Sequence, residues 1–120
     1  MTTETLSARA GDFLLGDPGT ISMEVVTIAA GADLQAGMVL GKITASGKYA
    51  PYDNTAADGT QTAAGILLDN TEAASADQVA TMVARLAEVQ TDKLLWDAAN
   101  NEAAQTAGLA DMAASYIIAR

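Results

Sequence analysis

Alanine fills 27 of the 120 positions, and the chain's aromatic residues are Phe13, Tyr49, Tyr52, Trp96 and Tyr116. This pairing constrains the fold more than any other feature. Half of the residues count as hydrophobic, yet an alanine methyl removes little apolar surface from water. Burial stabilises by only about 25 cal/mol per Å², so the core must draw short aliphatic side chains from many places. A chain of this length forms one ordinary domain and buries about 65% of its extended-chain surface. A core this thin points to support from outside the chain, through an oligomer interface or a docking surface.

Missing residue types exclude much chemistry. Without cysteine there is no disulfide, thiolate metal site or cysteine nucleophile. Without histidine a Ser-His-Asp triad cannot be built, and the commonest neutral metal ligand is gone. Acids outnumber bases by 15 to 6, for a net charge of −9. Such a surface repels nucleic-acid phosphates and anionic membranes. It also keeps a protein soluble at high concentration. The opening residues lack a basic segment followed by an apolar one, and no apolar run is long enough to span a membrane. The expectation is synthesis in a cytoplasm.

Residues 1–10 are polar and threonine-rich, without periodicity, and read as a flexible arm. Phe13, Leu14 and Leu15 follow, framed by Gly11, Gly16, Pro18 and Gly19, which exclude a helix. They either clamp the arm to the domain's own core or dock it on a partner. Residues 1–15 are thus read as arm and residues 16–120 as a single domain. Residues 21–28 read as a strand, residues 29–33 as a turn and residues 38–44 as a second strand. Gly47 supplies the left-handed position of a hairpin leading to Lys48, Tyr49 and Ala50, and Pro51 limits that arm. Residues 52–62 read as a polar loop, residues 63–69 as a short buried strand and residues 70–77 as another loop.

Residues 78–89 carry two patterns. At period 3.6, Val79, Met82, Val83, Leu86 and Val89 form a stripe of a helix. At period 2, Val79, Thr81, Val83, Arg85, Ala87 and Val89 share a strand face. Propensity favours the helix. Asn100, Asn101 and Glu102 read as a helix start, with a helix to about Ala113 despite Gly108. Residues 115–119 close the chain as a β-type run.

No motif carries catalysis. Residues 41–48 imitate a phosphate-binding loop, but five residues separate the glycines and Tyr49 follows Lys48. Residues 54–59 imitate a calcium loop, with Ala56 where an oxygen is required. Asp53, Asp58, Asp69, Asp77 and Asp92 stand mostly in polar loops, with no sign of a shielded pair. Ser46 and Lys48 flank an exposed turn, where a lysine is not desolvated. No catalytic, cofactor-binding or metal-binding residue is expected. Arg85 is the one cation within an apolar stretch; it pairs with an acid such as Glu88, reaches the surface, or bridges two subunits.

Several segments, in order, resemble the lambda-like head decoration protein D family of tailed bacteriophages. They are residues 36–49 (AGMVLGKITASGKY), the loop at 57–62 (ADGTQT), Ala64-Gly65-Ile66-Leu67, Lys93-Leu94-Leu95-Trp96 and the closing Tyr116-Ile117-Ile118. The likeness runs from about Phe13 to the C-terminus. It implies a mainly β fold with minor α content: a small compact domain of short strands, one C-terminal helix, much irregular chain and a flexible N-terminal arm. It also implies a strand at residues 78–89, against propensity.

The resemblance further implies a structural virion protein with no enzymatic activity. It would bind as a homotrimer to the outer surface of the expanded head, at threefold and quasi-threefold positions. There it would stabilise the capsid, after synthesis in the host bacterial cytoplasm. The arm, with Thr2, Thr3, Thr5, Leu6, Phe13, Leu14 and Leu15, would add a strand to a sheet of the major capsid protein. Arg85 and Trp96 are candidates for the trimer interface. The competing expectation is a β-clip-like module for a small molecule or carbohydrate, recognisable by a concave pocket with convergent polar groups. In family members a glycine often precedes the last strand, where Ser115 stands here.

Overall fold

The computed structural model describes residues 14–16 and 22–120. In chain order these form β1 (Leu14–Gly16), β2 (Ser22–Ile28), β3 (Ala32–Leu34), β4 (Val39–Lys42), β5 (Tyr49–Pro51), β6 (Ala63–Leu67), β7 (Thr71–Ala73), β8 (Gln78–Arg85), β9 (Ala87–Val89), a 3-10 turn (Thr91–Lys93), α1 (Glu102–Ala113) and β10 (Ile117–Ala119). The fold is mainly β with one helix.

Five strands close a barrel in the order β2-β5-β4-β6-β8. Its neighbours run antiparallel except at the closure, where Ile28 of β2 meets Tyr49 of β5 in parallel. The amide of Ala29 reinforces that seam by donating to the Tyr49 carbonyl at 2.9 Å. Leu40↔Pro51 and Lys42↔Tyr49 bound the β4–β5 pairing, so the expected hairpin forms and Pro51 ends it. Gly47 takes φ +75° in its turn, the conformation that glycine enters without steric cost.

The wall strands carry adjacent apolar pairs, and pleating sends the two members to opposite faces. Leu40, Leu67 and Met82 point into the barrel with Val26, Ile28 and Tyr49. Val39, Ile66 and Val83 point outward and join Tyr52, Val89, Leu94, Met112 and Ile117 in a second core. The helix covers that outer core with Ala104, Gly108 and Met112, one residue per turn on a narrow stripe.

Three expectations need correction. The turn at 29–33 runs into β3, and the loop at 70–77 contains β7. These pair antiparallel through Ala32↔Ala73, Asp33↔Glu72 and Leu34↔Thr71. Both strands are three residues long, and two acids face each other in mid-ladder, an unfavourable cross-strand pair that hides the strand signal. Leu34 and Ala73 repay this by burial in the barrel core.

The third concerns residues 78–89. They are extended, as the family resemblance implied and propensity did not, but they are two strands. Ser22 pairs with Arg85 while Met23 pairs with Val83, so a bulge leaves Ala84 unmatched. Leu86 then takes φ +57°, and β9 leaves the barrel to join β1 and β10. The six-residue face expected at period 2 is therefore broken after Val83.

Candidate docking surface

Of the arm residues, Thr2, Thr3, Thr5, Leu6 and Phe13 lie outside the described residues. Leu14 and Leu15 belong to β1. It runs antiparallel to β9, with Leu14 opposite Val89 and Gly16 opposite Glu88. β10 flanks the other side of β9 in parallel, from Ile117↔Ala87 to Ala119↔Val89. β1 is thus an edge of a three-stranded sheet, and the chain's first thirteen residues lead into that edge.

The two interface candidates are far from equivalent. Arg85 forms an ion pair with Glu24 across the β2–β8 ladder; Glu88 is instead bridged by Arg120 at 3.1 Å. Trp96 is half-buried and packs within its own chain. Its ring meets Tyr52 edge-on at 5.9 Å between centroids, a favourable aromatic arrangement. A Cβ on Gly108 would stand 2.9 Å from Trp96 and 3.0 Å from Tyr52. The helix accepts this glycine because two rings lie against it.

Among the loop carboxylates, Asp53, Asp58 and Asp77 staple backbone. Asp53 accepts from the Thr55 amide at 2.9 Å and its hydroxyl at 2.7 Å. Asp58 does the same for Thr60 at 3.1 and 2.6 Å. Those bonds hold the Asp58 carboxyl below its ordinary value, the Thr60 hydroxyl contributing most. Asp77 pairs with Lys48 at 2.5 Å and accepts from the Ala30 amide at 2.8 Å. Lys48 first, then Ala30, lower its pKa. Asp111 accepts from the Ala63 amide at 3.0 Å and ties helix to barrel. Tyr49 shifts the other way: burial, and then the Glu24 charge, raise its hydroxyl above 10.0. Among the described residues no group of three or more acids could hold a metal ion.

The imitation phosphate loop is the β4–β5 hairpin. A shallow depression beside it is lined by Lys42, Thr44, Gly59, Gln61, Thr62 and Ala64. Gln61 is already engaged, accepting from the Gly59 amide at 2.8 Å. No buried side-chain polar atom among the described residues lacks a partner.

What the described surface does offer is apolar. Val25 and Val79 are 75% and 71% exposed, and Tyr116, Leu86 and Ile118 are 69%, 41% and 41% exposed. The valines belong to one patch. Val25 faces Thr81 and Thr27 faces Val79, so all four share the outer face of the β2–β8 ladder. The same face is covered at its other end, where Met23 and Val83 enter the outer core.

The second patch is a corner. The Leu86 amide donates to the Ser115 carbonyl and the Ala87 amide to the Tyr116 carbonyl, setting Leu86 beside Tyr116. Both are left-handed, at φ +57° and +63°. Sequence reasoning missed all five exposed apolar residues. Val79 and Leu86 were read as members of an apolar helical stripe, and burial by a neighbour cannot be told from exposure by residue type.

No individual curated protein matches the chain. The family model of the bacteriophage lambda head decoration protein D matches residues 3–117. With nearly its whole length matched, the chain belongs to the bacteriophage lambda head decoration protein D family, structural proteins of the phage head.

Proposed function

We propose that this protein binds as a homotrimer to the outer surface of an expanded phage head and stabilises it. The trimers sit where capsid subunits meet around threefold and quasi-threefold points. The N-terminal arm extends β1 and adds a strand to a sheet of the major capsid protein. Main-chain hydrogen bonds then supply affinity without a demanding side-chain code.

The observation that carries this reading is the family match over residues 3–117. The arm's part in it is supported by the position of β1 at a sheet edge, directly after residues 1–13. Three arms on one trimer raise the effective concentration of the second and third contacts, so weak single contacts make a durable clamp.

Co-sedimentation with expanded, undecorated phage heads tests this. The full chain pellets with the heads in multiples of three, and a chain lacking residues 1–13 stays in solution. Failure of both to pellet on a matched head would refute the decoration role. Pelleting of both with equal affinity would refute the arm mechanism alone.

A further inference from the structure

Asp58-Gly59 is the chain's one Asp-Gly pair, and the chain has no Asn-Gly pair. Such a pair is a chemical liability in any polypeptide. With no Cβ on the residue that follows, the backbone nitrogen can reach the aspartate side chain. The Gly59 nitrogen bonds to the Asp58 Cγ. The protonated carboxyl loses its hydroxyl, which leaves with the amide proton as water. The product is a five-membered succinimide ring, and water reopens it at one of two carbonyls. Attack at Cγ restores aspartate. Attack at the backbone carbonyl carbon leaves the chain running through the side chain, as isoaspartate. One water is lost and one is gained, so no other reactant is needed.

The fold has reasons to keep both residues. Gly59 takes φ +113°, and a Cβ there would strike the Lys42 carbonyl and the Thr44 hydroxyl. The loop lies so close to β4 that Gly41 has no room for a side chain either, since a Cβ there would stand 2.6 Å from the Thr60 Cα. Asp58 is needed for its oxygens. Its carboxylate closes the turn onto the Thr60 amide and hydroxyl at 3.1 and 2.6 Å, and its carbonyl accepts from the Thr44 amide at 2.9 Å. An acid that holds a turn and a glycine that fits a wall thus fall side by side.

The same contacts oppose the reaction. The Asp58 carboxylate reaches past Gly59 to Thr60, which is buried and cannot follow it back. Those bonds lower the Asp58 pKa, the Thr60 hydroxyl contributing most, and so favour the carboxylate, a poor electrophile. The Gly59 amide, which must give up its proton to attack, donates it to the Gln61 Oε1 at 2.8 Å. Gln61 itself is exposed, on the rim of the depression beside β4.

We propose that Asp58-Gly59 is the site at which this protein ages chemically, by isomerisation to isoaspartate, and that Gln61 is the latch that holds it unreactive in the folded chain. Conversion adds a carbon to the backbone and turns the carbonyl that the Thr44 amide holds into a free carboxylate. The loop then comes loose from the barrel wall.

The test incubates the full-length chain at neutral pH, folded in buffer and unfolded in urea. Isoaspartate is counted by enzymatic methyl transfer and placed by peptide mapping. In the unfolded chain it is expected first at residue 58, and folding should slow it by about tenfold or more. Gln61→Ala in the folded state should speed conversion by about fivefold, the effect of one lost hydrogen bond. Gln61→Lys, which keeps a long exposed side chain without an acceptor, should match it, and Gln61→Glu, which keeps an acceptor, should stay near the parent. Parent-like hydrogen exchange in β4 and β6 of these variants separates loss of the latch from general loosening. Isoaspartate arising first at another residue would overturn the site. Equal rates in the folded and unfolded chain would overturn the protection. Gln61→Ala and Gln61→Lys converting as slowly as the parent would overturn the latch.

Discussion

Inside the barrel, Val26, Ile28, Leu40, Leu67 and Met82 pack on one another within a wall closed by backbone pairing. Outside it, Val39, Ile66 and Val83 from the same strands meet a helix that no sheet ladder holds. Side chains join that helix to the barrel. The Tyr52 hydroxyl donates to the Ala104 carbonyl at 2.8 Å and accepts from the Asn54 amide nitrogen at 3.1 Å. Buried Asn100 donates to the Tyr52 carbonyl at 2.6 Å and accepts from the Asn54 amide at 3.0 Å. The difference shows how a chain poor in large residues builds a stable domain. It makes two small cores share one set of strands, and it places Tyr52, Trp96 and the buried Asn100 where backbone pairing gives no help.

The strongest way to break this comparison is to remove the residue on which the outer core turns. Tyr52 is fully buried and touches helix, Trp96 and loop. Tyr52→Ala should cost about 3–5 kcal/mol in urea unfolding, the range for large aromatic truncations. Hydrogen exchange in that variant should rise first in α1 and last in β6 and β8, since the two cores differ in what holds them. Uniform loss of protection would show one cooperative core instead of two.

Gly108→Val comes next. Its side chain meets Trp96 and Tyr52 at sub-contact distance, so overpacking should cost about 1–3 kcal/mol in the same assay. A neutral result would mean that the rings have room to withdraw. Asn101→Ala is smaller. The Asn101 side chain accepts from the Ala104 amide at 2.9 Å as the helix N-cap, and its loss should cost about 1 kcal/mol.

The smallest effect concerns the other side of the comparison, where Asp77 and Lys48 staple loops around the barrel. The Asp77 pKa is lowered in the folded state, from an ordinary 3.8. Its charged form therefore stabilises the fold above that value, and the contribution is lost as pH falls below it. Melting temperature measured between about pH 6 and pH 3 should fall less steeply for Asp77→Asn than for the parent. Equal slopes would mean that the staple adds nothing.

Much of the outer core and the helix was legible in the sequence. Asn101 before Glu102 marked the helix start, and the predicted end near Ala113 is where α1 stops. Residues 63–69 read as a buried strand because Ile66 and Leu67 adjoin, and such adjacent pairs are what a strand buried on both faces carries. The same residues could not say that the two faces belong to separate cores. Gly108 read as a defect in a helix, since nothing local announces that Trp96 and Tyr52 will lie against it. β3 and β7 escaped notice because three residues with opposed acids give no period.

The docking surface was least legible. Arg85 and Trp96 stood out as rare residue types in their surroundings, and both have partners within the chain. Val25 and Val79 stood out in nothing, because a valine on a strand reads the same against a core, a neighbouring copy or water.

The most direct test of the central claim is electron cryomicroscopy of expanded, undecorated phage heads incubated with the full-length protein. The account predicts trimeric density on the outer surface at threefold positions, with each arm continuous with a capsid-protein sheet. Heads that remain bare under saturating protein would contradict it.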